Sequence, residues 1–146
     1  MNRILTLALV LGGCASGPPL REVKDTLPRT SDDQARIYFY RTTALGAALR
    51  PDIKLNGDVV GESVARGIFF RDVPPGEYVV QTSTEAENRL SLTCEKGQKR
   101  YVRFRVQMGM FVGHVIPELV DPVEADTEIW DLAYVAPAAV PAAAQK

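Results

Sequence analysis

The stretch "DIKLNGDVVGES" (residues 52–63) decides the fold. Asn56-Gly57 sits between two short runs that read as strands. A two-residue hairpin turn of type I′ needs positive φ at both central positions, which Asn and Gly adopt at least cost. The next stretch, "GIFFRDVPPGEYVV" (67–80), repeats the design: β-branched and aromatic runs on either side of turn formers. Pro75-Gly76 is expected at the centre of a type II turn.

Working outward, the same grammar continues. "ARIYFYR" (35–41) is apolar on both faces in its middle and reads as a central strand. "EYVVQTSTE" and "RLSLTCE" read as strands paired across Ala86-Glu87-Asn88, and "EKGQKR" as a glycine turn. In "RYVRFRVQM", Val102, Phe104 and Val106 point one way, and Tyr101, Arg103 and Arg105 the other. "MFVGHVIPELV" is a further strand, bent at Gly113 and ended near Pro117. Asp121-Pro122 then opens a short helix, with Asp as N-cap, and Val123, Ile129, Trp130 and Leu132 are expected to pack on the body. Short strands with turns every eight to twelve residues predict an all-β fold. The expectation is a single β-sandwich of seven to eight mostly antiparallel strands, Ig-like or transthyretin-like, with a short C-terminal helix and disordered ends.

The chain has 146 residues and a formal net charge of −1, enough for one domain and without bulk attraction to nucleic acid. The amino end, "MNRILTLALVLGGCASG", places one charge, Arg3, before an apolar run from Ile4 to Leu11. That run is too short to span a bilayer, which takes about 20 apolar residues. Charge, apolar core, then small residues is the order of a secretory signal peptide. Leu11-Gly12-Gly13-Cys14 resembles a bacterial lipobox. The resemblance implies cleavage before Cys14, lipidation of its thiol and acylation of the freed amine. Ala15 in place of Asp implies the outer membrane, facing the periplasm.

The expected organisation is therefore a signal peptide at 1–13, a lipidated Cys14 with a flexible tether to residue 34, a β-sandwich over 35–135, and a disordered Ala/Pro tail over 136–146. With Cys14 spent on lipid, Cys94 has no intrachain partner and is expected as a buried core thiol.

"ARIYFYR", "IKLNGDVVGES", "FFRDVPPGEYVV" and "KRYVRFRV", in that order behind a lipobox, resemble the small bacterial lipoproteins with domain of unknown function 2846. The resemblance covers about residues 35 to 120. Its "NG…VG…PPGEY" portion is also similar to PEGA-type surface modules, and it implies a sandwich on a lipid tether and no known reaction.

No catalytic constellation stands out. His114 is the one histidine and has no nucleophile motif beside it, so a structural role is expected. One His and one Cys without metal-ligand spacing do not make a zinc site, so no metal and no cofactor is expected. The acidic run Glu118, Asp121, Glu124, Asp126, Glu128 and Asp131 lacks the glycine of a calcium loop and reads as a solvated helix face. The candidate binding surface is basic and aromatic: Lys99, Arg100, Tyr101, Arg103 and Arg105. Guanidinium groups match carboxylates and phosphates, and tyrosine stacks on planar groups. The functional expectation is a non-enzymatic interaction module, anchored to the envelope membrane and binding a protein partner. The alternative is a peptidoglycan or glycan binder that uses Tyr101, Arg103 and Arg105.

Overall fold

The structure is a computed structural model and describes residues 15–110 and 113–136. The expected signal peptide at 1–13, Cys14 and residues 137–146 of the expected tail lie outside the described residues.

Nine strands form two sheets among the described residues, one or two more than expected. In chain order they are β1 (Ala35–Tyr40), β2 (Asp52–Leu55), β3 (Asp58–Glu62), β4 (Gly67–Val73), β5 (Gly76–Thr82), β6 (Glu85–Cys94), β7 (Lys99–Met108), β8 (Gly113–Val120) and β9 (Ala133–Tyr134). The five-stranded sheet has the order β8-β7-β1-β4-β9 and the four-stranded sheet β3-β2-β5-β6. Pairing is mostly antiparallel, as expected; β1 with β7 and β4 with β9 are the parallel pairs.

The core lies between the sheets. Ile37 and Phe39 of β1 meet Phe69 of β4, Phe104 of β7, and Ile53 and Val80 of the opposite sheet. The Phe39 ring lies 5.2 Å from Phe69 and 6.3 Å from Phe104, so aromatic stacking adds to burial. Each such side chain contributes about 1.5–3 kcal/mol by leaving water. Thr82 of β5 donates to the Val115 carbonyl of β8 at 2.7 Å and so ties one sheet to the other.

Local chemistry explains most elements. Asn56 and Gly57 both have positive φ, 52° and 92°, and join β2 to β3 as the Asn-Gly pair requires. Asp121 caps α2 (Pro122–Glu128) by accepting from the Val123 amide at 2.9 Å, with Pro122 in the first turn.

Several expectations are corrected. The β5–β6 hairpin turns at Ser83-Thr84 and not at 86–88, because Thr82 pairs with Glu85 and Ser83 is held against Asp52. Gly76 has φ 159°, close to extended backbone, and opens β5 instead of centring a type II turn. β8 runs through Pro117 to Val120, which its place at the sheet edge permits, since an edge residue needs no donor on its open side. Val123 is exposed, whereas Ile129 and Leu132 are buried as expected.

The largest difference concerns residues 15–34, expected as a flexible tether. They carry α1 (Leu20–Val23) and lie along the domain. Pro19 bridges Ala133, Tyr134 donates to the Pro18 carbonyl at 2.9 Å, and Leu20 donates to Leu132 at 2.9 Å. The physical reason is the outer face of the five-stranded sheet. Tyr40, Ile68, Tyr101 and Val120 project there, and Leu20, Leu27 and Ile129 cover them in a second apolar cluster. β1 is thus buried on both faces, as its sequence predicts.

Candidate functional site

The covering layer leaves a cleft of about 440 Å³ on the outer face of the five-stranded sheet. Its floor is Arg36 and Tyr38 of β1 with Lys99 and Tyr101 of β7. One wall is the segment after α1, from Lys24 to Thr30; the other is Asp126, Ile129 and Trp130.

Each floor residue is fixed by strand register. Arg36 lies opposite Lys99, and Tyr38 opposite Tyr101. The two tyrosine rings stack at 5.1 Å and 6°. Burial, then the neighbouring Tyr38 and Asp126, push the Tyr101 hydroxyl up to about 12, so it is a neutral donor at ordinary pH. Arg36 lies over the Phe70 ring at 3.7 Å. It donates to both Asp72 oxygens at 2.7 and 2.8 Å and to the Pro28 carbonyl at 2.7 Å, which pins the wall to the floor. Burial alone would lower its pKa; the hydrogen bond and charge of Asp72 outweigh that and hold it above the ordinary value. Lys24 Nζ sits 5.2 Å from the centroid of the Trp130 ring in the cleft wall. Arg29 and Lys99 are exposed and enter no ion pair among the described residues. The arrangement suits an anionic segment with a flat or apolar part: cations at the rim, aromatic rings on the floor.

The five residues singled out from sequence do not form one patch. Lys99 and Tyr101 belong to the cleft, where Tyr101 is buried and stacked. Arg100 points to the other face of β7 and donates to the Thr93 carbonyl at 2.8 Å. Arg103 is consumed by three carboxylates: Glu118 at 2.9 Å, Glu124 at 2.8 Å and Glu128 at 2.5 Å. Arg105 lies 3.2 Å from Glu118. Half of the acidic run is therefore a clamp on Arg103 and not a solvated face.

Sequence reasoning missed Lys24, Arg29, Tyr38 and Trp130. The available signal was the two-sided apolarity of β1, which demands a cover, and Leu20 and Leu27 in the preceding segment, which supply one. Cys94 is buried, as expected, and burial pushes its thiol up. His114 lies half-buried on β8. Among the described residues, no group of three or more His, Cys, Asp or Glu is placed to hold a metal ion. No helix among them is long and apolar enough to cross a membrane.

A second cation is fully buried without a carboxylate. Arg41, just past β1, donates to the carbonyls of Leu45, Gly46 at 2.7 Å and Leu49 at 2.8 Å. Burial lowers its pKa. Its role is to hold the loop of residues 42–50 against the sandwich.

Fold and cleft together define a two-sheet β-sandwich with one face roofed by its own flanking segments. The chain belongs to the family described as "Protein of unknown function (DUF2846)", whose family model matches residues 31–115. It is 28% identical over 131 residues to an uncharacterized protein of Haemophilus influenzae, covering 86% of this chain and 78% of that one. No solved structure matches the chain.

Proposed function

We propose that the protein is a non-enzymatic interaction module of the bacterial cell envelope. A lipid on Cys14 holds it to a membrane, at the periplasmic side of an outer membrane, and the cleft receives an acidic segment of a protein partner. The observation that carries this reading is Arg29 and Lys99, exposed and in no ion pair among the described residues, beside a floor made by the stacked Tyr38 and Tyr101. The lipobox-like Leu11-Gly12-Gly13-Cys14 supports the anchor. The glycan reading through Tyr101, Arg103 and Arg105 has less support, because Arg103 is neutralised and Tyr101 is buried.

The test is crosslinking in intact cells from a photoreactive group at Thr30, on the cleft wall. One dominant protein is expected, and the double variant Arg29→Glu/Lys99→Glu should reduce its recovery about tenfold, equivalent to roughly 1.4 kcal/mol, at unchanged thermal stability. Equal recovery from the charge-reversed variant overturns the cleft as the seat. Wall fragments in place of a protein move the assignment to glycan binding.

A further inference from the structure

Residues 15–20 are stitched to the domain from their first member. Ala15 donates its amide to the Ala65 carbonyl at 2.9 Å. Gly17 lies so close to the Tyr134 carbonyl that a Cβ there would sit 2.3 Å from its oxygen, so glycine is required for the approach. Leu20 then locks into the outer apolar cluster. No free spacer separates Cys14 from the body: a lipid on Cys14 leaves the chain one peptide bond before Ala15.

The contact fixes which end of the sandwich carries the anchor. Ala65 lies two residues before the start of β4, and that start pairs with the end of β1, Ile68 against Tyr40. β1 and β7 are parallel, and their pairing ends with Tyr40 against Arg103. The β7–β8 hairpin continues past this level to Met108 opposite Gly113, five residues and about 16 Å at strand rise. The anchor end is therefore also the end from which this hairpin projects.

The described residues at that end include exposed apolar side chains. Met108 is 64% exposed and Met110 89%, and Leu45 on the adjacent loop is 55% exposed. The loop is braced against the hairpin: a Cβ at Gly46 would touch Val106, and one at Gly113 would strike Leu49. Arg41 holds the same loop from beneath. Large apolar side chains grouped on a braced projection mark a contact surface.

We propose that this end rests on the bilayer, with Leu45, Met108 and Met110 seated in the lipid interface beside the acyl chains of Cys14. The inference rests on the reading of Cys14 as the lipid-bearing residue. Two separate observations converge on it: the hydrogen-bonded start of the chain and the exposed apolar tip occupy one end of the molecule. The Arg36 and Lys99 end of the cleft floor lies at the opposite end of β1 from this contact, farther from the membrane. A short acyl anchor and a shallow apolar contact reinforce each other, since stable membrane attachment takes more than one signal.

The experiment uses the full lipidated chain in vesicles of phosphatidylethanolamine and phosphatidylglycerol that carry a spin-labelled lipid quencher. A fluorophore is placed on Met110→Cys, on Leu45→Cys, or on the control Lys96→Cys in the β6–β7 turn. Cys94 is 1% exposed and stays unlabelled in the native protein. Quenching at positions 110 and 45 is expected to exceed that at 96 several-fold. Equal, weak quenching at all three sites in vesicle-bound protein overturns the orientation and leaves the anchor standing. Protein whose amino-terminal peptide carries no acyl mass, and which does not float with vesicles, overturns the anchor and the orientation together.

Discussion

Tyr40 of β1 donates its phenolic proton to Glu128 of α2 at 2.7 Å, a bond that adds to the apolar packing between the central strand and the helix that roofs it. Burial first, and then the hydrogen bond and charge of Glu128, raise the Tyr40 pKa far above its ordinary value. Tyr101, on the same outer face, is raised to about 12. The unfolded value is about 10. Both groups therefore contribute stability that is complete below about pH 10 and lost as pH rises through their folded values. Denaturation midpoints measured from about pH 8 upward should fall steeply above about pH 10. Tyr40→Phe should cost about 2 kcal/mol at neutral pH, for a hydrogen bond to a charged acceptor, and should flatten the alkaline slope.

Arg103 holds β7, β8 and α2 together through Glu118, Glu124 and Glu128. Arg103→Ala leaves three carboxylates facing one another on a half-buried surface. The expected cost is about 2 kcal/mol, less than for a fully buried pair because Glu124 is half exposed. Arg103→Lys should recover only part of it, since a point charge cannot fork between three acceptors. Urea titration of the three proteins checks the ranking.

Gly61 of β3 lies under the Phe69 ring, where a Cβ would sit 2.4 Å from a ring carbon. Phe69 is itself wedged in the core against Phe39. Gly61→Ala should therefore destabilise by about 1–3 kcal/mol through overpacking, with the loss visible in the melting temperature. Combining it with Phe69→Leu should restore part of the loss, because the smaller side chain vacates the contested space.

Arg41→Met should keep the β-sandwich and loosen the loop of residues 42–50, whose carbonyls at 45, 46 and 49 lose their donor. Limited proteolysis is the measurement: cleavage within 42–50 should become several-fold faster, while cleavage elsewhere stays as it was. Uniform acceleration along the chain would show that Arg41 supports the whole fold and not the loop.

The sandwich was legible because its signals are local. Asn56-Gly57 dictates a hairpin from its own backbone preferences, and Asp121-Pro122 dictates a helix start. The alternation in β7 correctly separated Val102 and Phe104 from Tyr101 and Arg103. It could not say what lies above each face. Arg103 looks free in sequence because its three partners come from β8 and α2, which only tertiary packing brings near. The cleft was missed for the same reason: Lys24, Tyr38, Lys99 and Trp130 come from four parts of the chain. Residues 15–34 lack any amphipathic period, yet Leu20 and Leu27 pack into the outer apolar cluster and hydrogen bonds at the backbone of Ala15, Pro18 and Pro28 fasten the rest, none of which a periodic pattern announces.

The parallel pairing of β1 with β7 has a consequence for how the chain is made. Five strands are synthesised between the two partners, so the middle of the larger sheet closes only late, over a long loop. Until then the edge of β1 opposite β4 stays open, and its Ile37, Phe39 and Tyr40 make it the kind of segment that aggregates when it waits. The closing pairings come later still, when Tyr134 reaches Pro18 and Ala133 reaches Gly67. A chain cut before residue 133 would lack the piece that fastens its own beginning. Folding here should be slow and all-or-none, completed where the two ends of the domain meet, and refolding kinetics should show the deletion of residues 133–136 slowing or abolishing it.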